Sequence, residues 1–120
     1  TAAYTLAGDI SNRVYDMDSD ARRYLHLAAV FACNFVNHCY ALSADILESH
    51  GIPFDVMLPL IDETALKVHG MSPQDAQTGP AVRYDENVLR KQSQLLRDNP
   101  LVKEIYDRMS LSIHNQSKKE

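Results

Sequence analysis

Tryptophan is absent from this 120-residue chain, glycine occurs only four times and cysteine only twice. No G-x-G-x-x-G or G-x-x-x-x-G-K-[ST] run exists, so the chain carries no phosphate cradle of either kind for a nucleotide. Cys33 and Cys39 sit six residues apart on what reads as one helix and point in different directions, so they do not suit a disulfide with each other. They read as buried thiols in a reducing compartment, which predicts a cytoplasmic protein. C-x-x-C, H-E-x-x-H and acidic clusters at ligand spacing are missing as well. His26, His38 and His50 are spaced so that successive rings turn by about 120° and rise by about 18 Å, which cannot grip one ion. No metal is expected.

A membrane span needs roughly 20 uninterrupted apolar residues, and Asn34, Asn37 and His38 interrupt the best candidate. No signal peptide is visible. The formal net charge is −4 with Lys and Arg scattered, which argues against nucleic acid as a partner. What is present is ordinary for one globular domain: 45% hydrophobic and 23% charged residues.

The periodicity is helical. Residues 1–12 read as the last turns of a helix and Arg13-Val-Tyr-Asp-Met17 as a short strand. An isolated strand is unstable, so a preceding domain is expected to supply its companions, and residues 1–17 are expected to be its remnant and a linker. Ser19 or Asp20 caps a long helix to about residue 49, with Gly51 as its stop and Pro53 beyond. On that helix His26, Asn34, Asn37, His38, Asp45 and Glu48 fall in one sector of about 120°, the rest being apolar or small.

A second helix is expected over residues 54–69, with Pro59 in its first turn and a Glu63–Lys67 pair on its exposed side. Ser72-Pro73 starts a short turn, and Thr78-Gly79-Pro80 breaks the chain. Asp85 caps a helix over 86–97, and Asn99-Pro100 starts the last, to about residue 114. Val102, Ile105, Tyr106, Met109 and Ile113 stand there at core spacing. The expected fold is all-α, a helical bundle around one long central helix over residues 18–114, with a frayed tail at 115–120.

Polar side chains inside an apolar helix must find partners or line a cleft. His26 suits proton transfer near neutral pH, or a plain place at the protein's surface or a bond to a neighbouring helix. Asn34, about 12 Å further along the axis, can orient a carbonyl or amide, or bridge two helices. Gly79 lacks a Cβ and allows close approach. Arg83 can anchor an anionic group, or form a surface ion pair.

Three motifs in order, HLAAVFACNF, LPLIDET and QTGPAVRYD, resemble the domain-of-unknown-function 2520 family, whose members pair a Rossmann-like N-terminal domain with a helical C-terminal one. The similarity covers about residues 20–113. It is similar in architecture to pyrroline-5-carboxylate reductases, deazaflavin-dependent NADP oxidoreductases and 6-phosphogluconate dehydrogenase. The resemblance implies an all-α domain of the 6-phosphogluconate dehydrogenase C-terminal type, with NADP bound mainly by the N-terminal domain.

Carried over by position, His26 and Asn34 match the motif on the long helix and are implied to be catalytic. Thr78, Gly79 and Pro80 match the later motif and, with Arg83, are implied to face substrate or cofactor. The expected function is a substrate-binding and dimerisation domain, homodimeric through the long helix, of an NADP-dependent oxidoreductase acting on a small C=O or C=N compound. The fragment alone is expected to be inactive. The rival is a non-catalytic dimerisation or ligand-sensing module on an NADP-binding domain.

Overall fold

The computed structural model describes residues 17–118, so the helix end and strand expected over residues 1–16 lie outside the described residues. Among those described, every regular element is helical. The chain divides into two compact units, Thr1–Ile52 and Pro53–Glu120.

In the first unit one helix, α1, runs over Ser19–Glu48. Its cap is Asp18 rather than Ser19 or Asp20: the Ala21 amide donates to the Asp18 carboxylate at 2.8 Å. Asp20 is engaged instead by the Arg23 guanidinium one turn on. The C-terminus follows the expected chemistry. Gly51 has φ +73°, its amide donates to Glu48 O at 3.1 Å, and the Ile52 amide donates to Leu47 O at 3.0 Å. That pair of bonds, closed by a left-handed residue, is a Schellman ending, and Pro53 forbids further helix. No residue of α1 is buried.

By length and composition α1 could cross a membrane: an 18-residue window has mean hydropathy 1.3. The core helix of a soluble protein meets the same description. The stripe of His26, Asn34, Asn37 and His38 would leave polar groups unpaired in hydrocarbon, which favours a protein or aqueous neighbour.

In the second unit a 3₁₀ turn, Phe54–Met57, leads into α2, Leu58–Gly70. The α-helix begins late because Pro59 has no N–H and is tolerated only in a first turn. Glu63 and Lys67 do not pair, whereas Arg23 with Asp20 and Lys103 with Asp107 do. Ser72 caps the one-turn α3, Pro73–Ala76, by accepting from the Asp75 amide at 3.2 Å.

Asp85 caps α4, Glu86–Leu95, and Asn99 caps α5, Pro100–Ser117, both as the sequence indicates. α4 stops two residues early, in a turn where the Leu96 amide donates to Ser93 O. α5 runs past the expected end near His114, so residues 115–117 are helical, and the Ser117 hydroxyl donates to His114 O at 2.6 Å.

Two side-chain bonds clamp α4 to α5. The Ser93 hydroxyl donates to Asp107 Oδ1 at 2.6 Å, and the Tyr106 hydroxyl to Gln92 Oε1 at 2.6 Å. Of the expected core positions on α5, Val102, Ile105, Tyr106 and Ile113 are half-buried, whereas Met109 is exposed. Ala81 and Ser93 alone fall in the buried class among the described residues. The apolar faces of these helices are thus left largely uncovered.

Candidate functional site

α1 is not a continuous α-helix. Its middle, Val30–Phe35, is π-helical, and these six residues lie inside the HLAAVFACNF motif and include Asn34. Bonding i→i+5 instead of i→i+4 takes one extra residue into the turn, so everything beyond is rotated back by about 100° relative to an α-helix. Such insertions are frequent at functional sites.

The rotation changes which residues share a face. In an uninterrupted helix His26 and Asn34 would stand about 80° apart, and the insertion brings them to within about 20°. His26, Asn34, Asn37, His38, Asp45 and Glu48 still share a sector, now about 100° wide. Tyr24, Leu27, Phe31, Phe35, Cys39, Leu42 and Ile46 form a second stripe of about 100°, with a gap of about 40° between the two. Without the insertion the stripes would overlap, His38 lying about 20° beyond Leu27. Phe31 and Phe35 meet edge to face on the apolar stripe, with ring centroids 4.9 Å apart.

His26 and Asn34 are exposed within this chain and have no side-chain hydrogen bond among the described residues, so neither bridges two helices there. Cys33 and Cys39 are free thiols, and exposed rather than buried. No group of three His, Cys, Asp or Glu converges as a metal site among the described residues.

The remaining candidates stand in the second unit. Gly79 has φ +106°, which an L side chain rarely adopts, and a Cβ built there meets nothing within 4 Å. The glycine is therefore required by its own backbone angle rather than by close approach of a neighbour among the described residues. Thr78 is exposed and its carbonyl accepts from Gln77 Nε2 at 3.1 Å, while Pro80 is half-buried. Arg83 is exposed and has no ion pair among the described residues.

Residues 80–85 close on themselves. The Asp85 amide donates to Pro80 O at 2.9 Å and the Tyr84 amide to Ala81 O at 3.2 Å, the same pair of bonds that ends α1. Here the left-handed position is held by Tyr84, at φ +51°, the one described non-glycine residue with positive φ. Its ring stacks on His114 of α5, centroids 4.5 Å apart and planes 28° from parallel. His114 Nδ1 is buried without a hydrogen-bond partner among the described residues. Tyr84 and His114 were not evident from sequence. Neither backbone angle nor a partner 30 positions away leaves a local signature, although tyrosine directly before a helix-capping aspartate is a detectable oddity.

The fold and these motifs agree with what comparison shows: residues 1–113 match the domain of unknown function DUF2520. The chain belongs to the DUF2520 family. This DUF2520 chain is also similar to the crystal structure of a "putative NADP oxidoreductase" from Bacteroides fragilis, at 57% sequence identity and a TM-score of 0.80. The match covers 82% of the DUF2520 chain and 38% of the Bacteroides chain. No curated protein matches it.

Proposed function

We propose that this DUF2520 chain is the substrate-binding and dimerisation part of a larger NADP-dependent oxidoreductase acting on a small C=O or C=N compound. The observation that carries the reading is the 57% identity to the Bacteroides chain described as a "putative NADP oxidoreductase", of which this one spans 38%. NADP itself does not fit the described residues: a dinucleotide pyrophosphate needs a strand–turn–helix cradle, and they contain no strand. The cofactor would be held by a Rossmann-like domain of the same polypeptide, and these residues alone are proposed to be inactive.

Within this chain His26 is the proton donor or acceptor at the substrate's oxygen or nitrogen, and Asn34 orients the substrate from the same stripe. In the second unit, Arg83 and the backbone of Thr78, Gly79 and Pro80 face an anionic part of substrate or cofactor. The apolar stripe of α1 is proposed to pair with a second copy: Tyr24 is 72% exposed, Phe31 59% and Leu27 51%, an apolar patch of a kind that soluble monomers rarely leave to water. Cytoplasmic residence is proposed from the free thiols of Cys33 and Cys39.

The test is His26→Ala in the whole polypeptide. Loss of a general acid–base predicts a fall in turnover of about 10²–10⁴-fold. Replacing an exposed side chain predicts a stability change within about 0.5 kcal/mol. Equal losses of activity and melting temperature would reject the catalytic role. That same apolar stripe also suits the rival, a non-catalytic module that senses a ligand through dimerisation. NADP binding without turnover of any small keto or imino acid would favour it.

A further inference from the structure

Two Schellman-type endings in this chain share a bond pattern and differ in the residue at the left-handed position. At the first, Gly51 at φ +73° is what steric chemistry prefers. At the second, Tyr84 adopts φ +51°, an unfavourable angle for a bulky aromatic residue. A backbone that glycine serves without strain carries tyrosine here, so the side chain is what the position requires.

Three observations show what the ring can offer. It stacks on the flat face of His114, whose buried Nδ1 has no hydrogen-bond partner among the described residues, so the imidazole supports the ring by its plane rather than through that nitrogen. Tyr84 remains 50% exposed, so the stack is a backing and not a burial. The preceding residue, Arg83, is an exposed guanidinium with no ion pair among the described residues, and a Cβ built on Gly79, the residue just before this turn, meets nothing within 4 Å.

We infer that the His114-backed ring of Tyr84, together with Arg83, is a binding platform for a flat, carboxylate-bearing small molecule. The aromatic ring takes the plane of the ligand and the guanidinium its charge. The inference deepens the proposed role of Arg83 and is independent of His26 and of any cofactor.

The experiment titrates the whole polypeptide, without NADP, with benzoate, benzamide and acetate while following the His114 ring protons by NMR. Benzoate is expected to shift them saturably. Benzamide, without the charge, and acetate, without the ring, should each bind at least tenfold more weakly. Arg83→Gln should weaken benzoate at least tenfold, and Tyr84→Phe should keep it within threefold. Tyr84→Gly should abolish benzoate binding while leaving the melting temperature unchanged or raised.

The platform is overturned if benzoate leaves His114 unmoved, or if benzamide binds equally well. A Tyr84→Gly protein that melts lower yet binds benzoate as before would make the ring a packing element and equally reject the inference. His26→Ala should leave benzoate binding intact. Failure of the oxidoreductase reading would therefore appear in turnover and not in this titration.

Discussion

Removing the Ser93 hydroxyl tests whether the α4–α5 hairpin is held by one charge-assisted hydrogen bond. Ser93 is 8% exposed and donates to Asp107 Oδ1 at 2.6 Å, while Lys103 approaches the other carboxylate oxygen at 3.1 Å. A hydrogen bond to a charged group contributes about 1.5–3 kcal/mol, but Asp107 is 46% exposed, and solvent screening brings the expectation for Ser93→Ala to about 1 kcal/mol.

The bond also carries a pH signature. Ser93 first, and then Lys103, hold the Asp107 carboxyl below its ordinary value of 3.8. A folded-state value below the unfolded one stabilises the protein fully above 3.8, and this contribution is lost as pH falls through the folded value. Urea unfolding followed by circular dichroism should therefore show the Ser93→Ala penalty at pH 7 and a smaller one at pH 2. Lys103→Met should cost less than Ser93→Ala. An equal Ser93→Ala penalty at both pH values would mean that the hydroxyl acts through packing and not through the carboxylate.

Two glycine substitutions separate backbone angle from space. Gly51→Ala at φ +73° should cost about 1 kcal/mol, and Gly79→Ala at φ +106° about 2 kcal/mol, although an added Cβ meets nothing within 4 Å at either; thermal melts decide, and a neutral Gly79→Ala would remove the argument from φ. Deleting Ala32 should convert the π-helical turn to α-helix and leave the two stripes of α1 in register, because the residue removed is the one the wide turn accommodates. Helix content by circular dichroism and self-association by analytical ultracentrifugation should then both stay the same; association weakened tenfold would show that the wide turn itself, and not the register it sets, makes the contact.

Local chemistry was legible in the sequence and long-range geometry was not. Gly51, Ser72, Asp85 and Asn99 were readable as stops and caps because each acts within four residues of itself, through its own φ or a side-chain bond to a nearby amide. The cap of α1 was misplaced because three acceptors, Asp18, Ser19 and Asp20, stand in a row. Which one turns inward depends on Asp20 being taken by Arg23. Met109 was placed in the core by spacing alone, and spacing does not say whether a neighbour arrives to cover it.

The π-helical turn shows the same limit at the candidate site. Helical arithmetic at 100° per residue finds one polar sector on α1 whether or not a residue is inserted, because the insertion rotates Asn37, His38, Asp45 and Glu48 together. The arithmetic therefore finds the same sector with a different alignment inside it. It set His26 and Asn34 about 80° apart and let the polar and apolar stripes overlap. One additional residue between Val30 and Phe35 aligns the pair and separates the stripes. Polar and apolar partners can then approach α1 from different sides. Deleting one residue from the wide turn keeps this alignment, whereas one alanine inserted after Ala28 turns His26 about 100° away from Asn34 and should disrupt substrate alignment and self-association together; both working after that insertion would show that the register does not matter.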